Sequence, residues 1–298
     1  MSLATAPIGC VPIVWNNVDL PDMAPEVGHT EILDTLARIG FEGTQFGRGF
    51  PEGAELDAQL SARGLRLAEL YCALPAGPNG LADDAATVAR TDLGRLVAAG
   101  GEVLVVAVHG SPERDALSGR IGPAAPRWPD AAFDGLADLL GELAAAAPEG
   151  VKVAFHPHTA TWIEAPDEVD ALAALLPASG AGLCLDVGHY LVGGGDPVEA
   201  IRRHGRLITH VHAKDVDLLA LARLRAGELS GFGDAVRARL FTELGNGALD
   251  VSGVVRALDD VGFDGWLMVE QDSTWLAPAE AAAAGGRVLR HAIRELGR

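Results

Sequence analysis

Apolar positions along the chain fall into two kinds of run that alternate. Short runs rich in Val, Ile and Leu, apolar on both faces, predict strands over 8–15, 43–46, 65–71, 102–108, 151–156, 182–186, 207–212 and 265–270. Longer Ala/Leu-rich runs with helical spacing predict helices near 28–39, 55–63, 82–99, 130–147, 166–176, 196–204, 250–261 and 277–296. Three of these helices carry start signals: Thr30 before Glu31, Pro166-Asp167-Glu168, and Asp196-Pro197. Strands buried on both faces and separated by helices imply a parallel sheet. Eight such repeats predict an α/β fold, a (β/α)8 TIM barrel. An open doubly wound sheet would call for a glycine-rich phosphate turn after the first strand, where the chain has Trp15-Asn16-Asn17-Val18. The segment 215–246 is the longest without a clear strand, and it reads as a helix over 218–225 plus a loop covering the barrel mouth. No repeat or linker interrupts the pattern, so residues 1–298 read as one domain.

Composition narrows the partners. The chain has 298 residues, 49% of them hydrophobic, with 23 basic against 41 acidic side chains and a net charge of −18. A polyanion needs a positive surface, so nucleic acid and anionic membrane are not expected partners. The cysteines Cys10, Cys72 and Cys184 are odd in number and form no CxxC pair, which points away from a disulfide framework or a thiolate zinc site. No window offers about 18 uncharged apolar residues, and no basic run opens the chain, so a cytoplasmic location is expected. Only Lys152 and Lys214 are lysines, against twenty-one arginines. Where charge alone matters Arg serves, so a retained Lys marks a place where a deprotonatable amine is useful.

In such a barrel the C-terminal strand ends surround one mouth, where chemistry collects. The polar residues there are Trp15-Asn16-Asn17 with strand one, Glu69 on strand three, His109, His156-Pro157-His158, Asp186-Val187-Gly188-His189, the run from His210 to Asp215, and Glu270-Gln271-Asp272. Seven of the nine histidines are in or beside this set. Asp186, His212 and Glu270 are each the first polar residue after an apolar run on three successive strands. Carboxylate and imidazole groups converging in this way suit one borderline divalent ion, Mn, Co or Zn. His210 and His212 share a strand face, and His212 is nearer the mouth. Lys214 lies on that same face, where a neighbouring cation would lower its pKa and fit it for acid/base work. Trp15 reads as an apolar platform under a sugar ring, and Glu69 and His109 as hydroxyl-binding groups.

These segments carry a resemblance. Phe41-Glu42-Gly43-Thr44-Gln45, His156-Pro157-His158-Thr159 running to Ile163-Glu164, Leu185-Asp186-Val187-Gly188-His189, His210-Val211-His212-Ala213-Lys214-Asp215 and Met268-Val269-Glu270-Gln271-Asp272 resemble the xylose-isomerase-like sugar isomerase/epimerase superfamily. Within it the chain is most similar to the inosose (2-keto-myo-inositol) dehydratases. The resemblance covers nearly the whole chain and implies metal ligands at Asp186, His212 and Glu270, with His189 contacting substrate. Many members have a glutamate where this chain has His156. Glu164 is then the expected fourth ligand and His156 its competitor.

The activity implied is that of a metal-dependent lyase acting on a cyclic keto-polyol through an enediolate. His156, His158 or a ligand carboxylate would take the α-proton, and Lys214 or a histidine would protonate the departing hydroxyl. Reprotonation of the same enediolate would instead make a sugar epimerase or aldose–ketose isomerase. A barrel that binds sugar without catalysis is the remaining alternative. The partner expected is a small sugar or cyclitol; a homo-oligomer is left open. A phosphorylated substrate is not expected, although Gly245-Asn246-Gly247 offers backbone amides.

Overall fold

The computed structural model describes residues 3–296. Eight strands close into a barrel: β1 (Ile8–Cys10), β2 (Gly43–Gln45), β3 (Arg66–Leu74), β4 (Val103–Val108), β5 (Lys152–Phe155), β6 (Gly182–Asp186), β7 (Ile208–Ala213) and β8 (Trp266–Val269). All neighbours are parallel, in chain order, with β1 closing against β8. The outer helices follow in turn: α1 (His29–Ile39), α2 (Gly53–Ser61), α3 (Ala85–Ala98), α4 (Asp130–Ala146), α5 (Pro166–Ala173), α6 (Pro197–His204), α7 (Val251–Asp260) and α8 (Pro278–Glu295). The main apolar core lies between this helix ring and the strands.

The start signals act unequally. Asp196 caps α6, accepting from Val198 N at 2.8 Å and Glu199 N at 3.2 Å. Glu168 in the first turn of α5 reaches back to Ala165 N at 2.9 Å. Thr30 is not a cap, because α1 starts one residue earlier, at His29 after Gly28. The first strand is shorter than the hydrophobic run. Val11 N still bonds Val269 O, but Pro12 has no N–H, and the chain turns into a 3-10 segment at Pro12–Val14.

Side chains two apart on a strand share a face, and this alternation layers the barrel interior. Val103, Val105, Ala154, Trp266 and Met268 fill its apolar part. The register pairs Asp186 with His212, and His212 with Met268, two residues before Glu270. His156 follows Phe155, which pairs with Leu183 of β6.

The segment 215–246 is structured. It contains helices Leu218–Arg225 and Phe232–Arg237, and strand Phe241–Thr242 pairs antiparallel with Asp215–Val216. It has its own apolar cluster, including Val216, Leu224, Phe232 and Phe241. The amides of Gly245, Gly247 and Leu249 do form a nest, but the Asp215 carboxylate occupies it at 2.8, 3.0 and 2.9 Å. Those donors are therefore spent within the chain. No described helix is long and apolar enough to cross a membrane.

Candidate metal centre and its cavity

Four side chains meet at the mouth: His156 after β5, Asp186 at the end of β6, His212 on β7 and Glu270 after β8. One ligand atom from each lies within 4.8 Å of all the others, and all four residues are buried. Asp186 divides its carboxylate between two tasks. Its Oδ1 accepts from Gly188 N and His189 N, both at 2.8 Å, capping the short helix Val187–Val192. Its Oδ2 has no hydrogen-bond partner. Gly188 is required there: a Cβ would lie 2.8 Å from Lys214 Cγ and 2.9 Å from Lys214 O. His212 Nδ1 and Glu270 Oε2 approach to 2.6 Å, yet neither makes a hydrogen bond.

Orphaned buried lone pairs are costly unless something else satisfies them. Two imidazoles and two carboxylates with such lone pairs fit a borderline divalent ion. Glu164 stands apart, a correction to its expected place as fourth ligand. Its Oε1 accepts from Gly119 N and its Oε2 from Ala160 N, both at 2.7 Å, so it ties two loops together. The geometry puts His156 in the group instead.

Lys214 is fully enclosed. Its Nζ lies 3.0 Å from Glu270 Oε1, 3.0 Å from Asp272 Oδ1, 3.4 Å from Asp186 Oδ2 and 3.0 Å from His189 Nε2. Burial alone would lower its pKa, but Asp186, Asp272 and Glu270 outweigh burial and hold the amine well above its usual range. This reverses the expected downward shift. Burial pushes Asp272 the other way, up to about 7, with Glu270 adding to the effect and Lys214 opposing it.

His189 is not free to meet a substrate as expected. With Lys214 charged, Nε2 accepts from the ammonium, and Nδ1 lies 2.8 Å from Thr159 Oγ1. His158 stacks on it with ring centroids 3.8 Å apart. His158 Nδ1 lies 2.7 Å from Thr159 O; a carbonyl only accepts, so Nδ1 carries the proton and Nε2 is left as the ring's acceptor. Burial, with His156 and Lys214, lowers the His158 pKa to about 3 and keeps the ring neutral.

Above the cluster is a cavity of about 470 Å3 lined by Asp19, Tyr71, His109, Ser111, His158 and Phe232, among others. His109 is thus at the mouth, and exposed. Two expectations are corrected. Trp15 lines a separate cavity of about 210 Å3 together with Asn17, Arg239 and Asp272. Glu69 is buried in the barrel, too deep for substrate hydroxyls, with Oε2 against the Nε2 atoms of both His210 and His212. Burial would raise its pKa, but those two histidines hold it below the usual carboxylate range.

Several residues acquire a place only here. Asp19 comes from the loop after β1, pinned because Asn17 Oδ1 accepts from Asp19 N and Leu20 N while Asn17 Nδ2 donates to Asp272 O at 2.9 Å. Phe232 and Phe241 come from the covering segment, Phe232 against His158 and Phe241 under Lys214 Nζ at 4.5 Å. Only Asp272 had a sequence signal, two residues after Glu270 and so on its strand face.

A family model described as xylose isomerase-like TIM barrel matches residues 33–292. Proteins named inosose dehydratase from Geobacillus thermodenitrificans (strain NG80-2) and Lacticaseibacillus casei (strain BL23) are 30% and 29% identical to this chain. The alignments cover 95% of this chain and 96% of the first, and 97% of this chain and 97% of the second. Among solved structures, IOLI protein with a binding zinc atom superposes with a TM-score of 0.71 at 16% identity, covering 97% of this chain and 98% of that one. An L-ribulose 3-epimerase does so with a TM-score of 0.69 at 18% identity, covering 98% and 97%. Both superpositions speak to the fold alone.

Proposed function

The chain belongs to the xylose isomerase-like TIM barrel family and is a sugar-modifying enzyme of it; from that premise we propose that it is a divalent-metal-dependent dehydratase of a cyclic keto-polyol such as 2-keto-myo-inositol. The observation that carries the reading is the buried group His156, Asp186, His212 and Glu270 with its orphaned lone pairs, lying beneath a polar cavity. The name of the curated relatives supports the substrate class. His156, Asp186, His212 and Glu270 would hold the ion, which when bound supplies Lewis-acid stabilisation of charge developing on a ketone oxygen.

The chain's own groups divide the proton traffic. His158, neutral and with Nε2 as acceptor, takes the α-proton. His156 is thereby moved from base to ligand. Lys214, with Asp272 at 3.0 Å, supplies the proton to the departing β-hydroxyl. Asp19, Tyr71 and His109 offer hydrogen bonds to ring hydroxyls. The segment 215–246 acts as a lid, with Phe232 and Phe241 keeping water from His158, His189 and Lys214.

The test joins metal content to product. Elemental analysis of the full chain is expected to give about one equivalent of Mn, Co or Zn, lost in Asp186→Ala. Incubation with 2-keto-myo-inositol is expected to raise enone absorbance. In Lys214→Met, enone formation falls at least about 100-fold while solvent exchange of the α-proton persists. Absence of metal even after reconstitution sinks the reading and favours a non-catalytic sugar-binding barrel. Epimerised or isomerised sugar without enone would make the enzyme an epimerase or isomerase on the same site.

A further inference from the structure

Glu69 is the one carboxylate the proposed chemistry leaves unused, although it sits in the barrel interior directly beneath the metal group. It comes from β3, which faces β7 across the barrel, and it is completely buried. His212 Nε2 lies 2.8 Å from Glu69 Oε2 with hydrogen-bond geometry. His210 Nε2 also touches Oε2 but makes no hydrogen bond, and Glu69 Oε1 has no partner. A carboxylate only accepts, so the ring donates Nε2–H to it. The lone pair of His212 is then left on Nδ1, the nitrogen beside Glu270 and 3.8 Å from Asp186 Oδ2.

We propose that Glu69 is a positioning residue for the metal centre, fixing the tautomer and ring orientation of His212 so that Nδ1 is presented to the ion. An imidazole has two chemically similar nitrogens, and in a neutral ring only one carries a lone pair in the ring plane. With Glu69 absent, the proton can move to Nδ1, where it would point at Glu270 and Asp186 and oppose a cation. Partners of this kind change metal affinity about 10–100-fold. The assignment also explains why an acidic side chain is kept in a fully buried layer: its charge is answered by the imidazole that it orients.

The inference rests on the metal reading of the mouth cluster, and its test separates the two. Apo full-length protein is titrated with Zn2+ and with Co2+ by calorimetry, as wild type, Glu69→Gln and Glu69→Asp. The expected result is one tight equivalent in wild type, about 10–100-fold weaker binding in Glu69→Gln, and partial recovery in Glu69→Asp. Wild type alone gives a second readout that needs no variant: 15N spectra of histidine-labelled, zinc-loaded protein are expected to show His212 protonated at Nε2.

Undiminished affinity in Glu69→Gln, or His212 protonated at Nδ1, overturns the role of Glu69 and leaves the metal reading standing. Failure of wild type to bind either ion overturns both. Glu69, His210 and His212 are grouped closely enough to hold an ion of their own. A second equivalent that disappears in Glu69→Gln would make Glu69 a ligand and likewise overturn the positioning role.

Discussion

Glu164 shows how much a single buried carboxyl can do without touching the metal group. Burial, outweighing the amides of Gly119 and Ala160 and the charge of Arg114, pushes its pKa up to about 7. A folded pKa above the unfolded value means that the group's favourable contribution is fully present below the unfolded pKa, about 4.5, and is lost as pH rises through about 7. Denaturant unfolding of the wild type, followed from pH 4.5 to 8, is expected to include this decline. Glu164→Gln removes it and flattens the curve by an amount on the order of 3 kcal/mol across that window. An unchanged pH profile in the variant would contradict the assignment. The strain nearby has a related origin: Ala160 adopts φ 69°, a left-handed conformation for a residue with a Cβ, while its N–H is held by Glu164 and its carbonyl by Ser111 N.

At the scale of elements, the wall of the cavity depends on a buried ion pair. Arg114, in the short helix Pro112–Asp115, makes a bidentate pair with Glu168 of α5, both hydrogen bonds at 2.7 Å, and donates to Pro126 O at 2.8 Å. Glu168 also accepts from the amides of Glu164 and Ala165, so one carboxylate joins the loop after β4 to the start of α5. Breaking such a pair strands the other charge, and Arg114→Met is expected to cost about 3–5 kcal/mol in chemical denaturation. The exposed pair Arg90–Glu142 is the control; Arg90→Met should cost no more than about 1 kcal/mol. The same Arg114 helix latches the covering segment, because Asp115 Oδ1 accepts from Phe232 N at 2.8 Å.

Across the whole molecule, strands from opposite sides of the barrel converge on the metal group, so binding there acts on global stability. An ion at 100 times its dissociation constant stabilises the folded state by about 2.7 kcal/mol. Thermal melts with and without chelator are therefore expected to differ by about 5 °C for the wild type and to coincide for Asp186→Ala. Coincident melts for the wild type would count against a resident ion.

The fold was legible in the sequence because its signals are local and repeated: eight apolar runs, eight helical runs, and the two-residue alternation that sets Asp186, His212 and Glu270 on inward faces near the strand ends. Local chemistry also shows in Asp196-Pro197, which starts α6. What local pattern cannot supply is which of several polar groups near one mouth face each other. Glu164 and His156 are eight residues apart and equally plausible by type, but backbone amides of Gly119 and Ala160 claim the first and leave the second to the cluster. Glu69 is 143 residues from His212, and only barrel closure turns its inward position into a hydrogen bond. The direction of the Lys214 shift required the three carboxylates around it, contributed by β6 and the loop after β8. Sequence determined the barrel and the strand ends that bear the chemistry, because those follow from periodicity. Tertiary structure decided partners and roles, because electrostatics and hydrogen bonds act through space between segments the chain brings together only on folding.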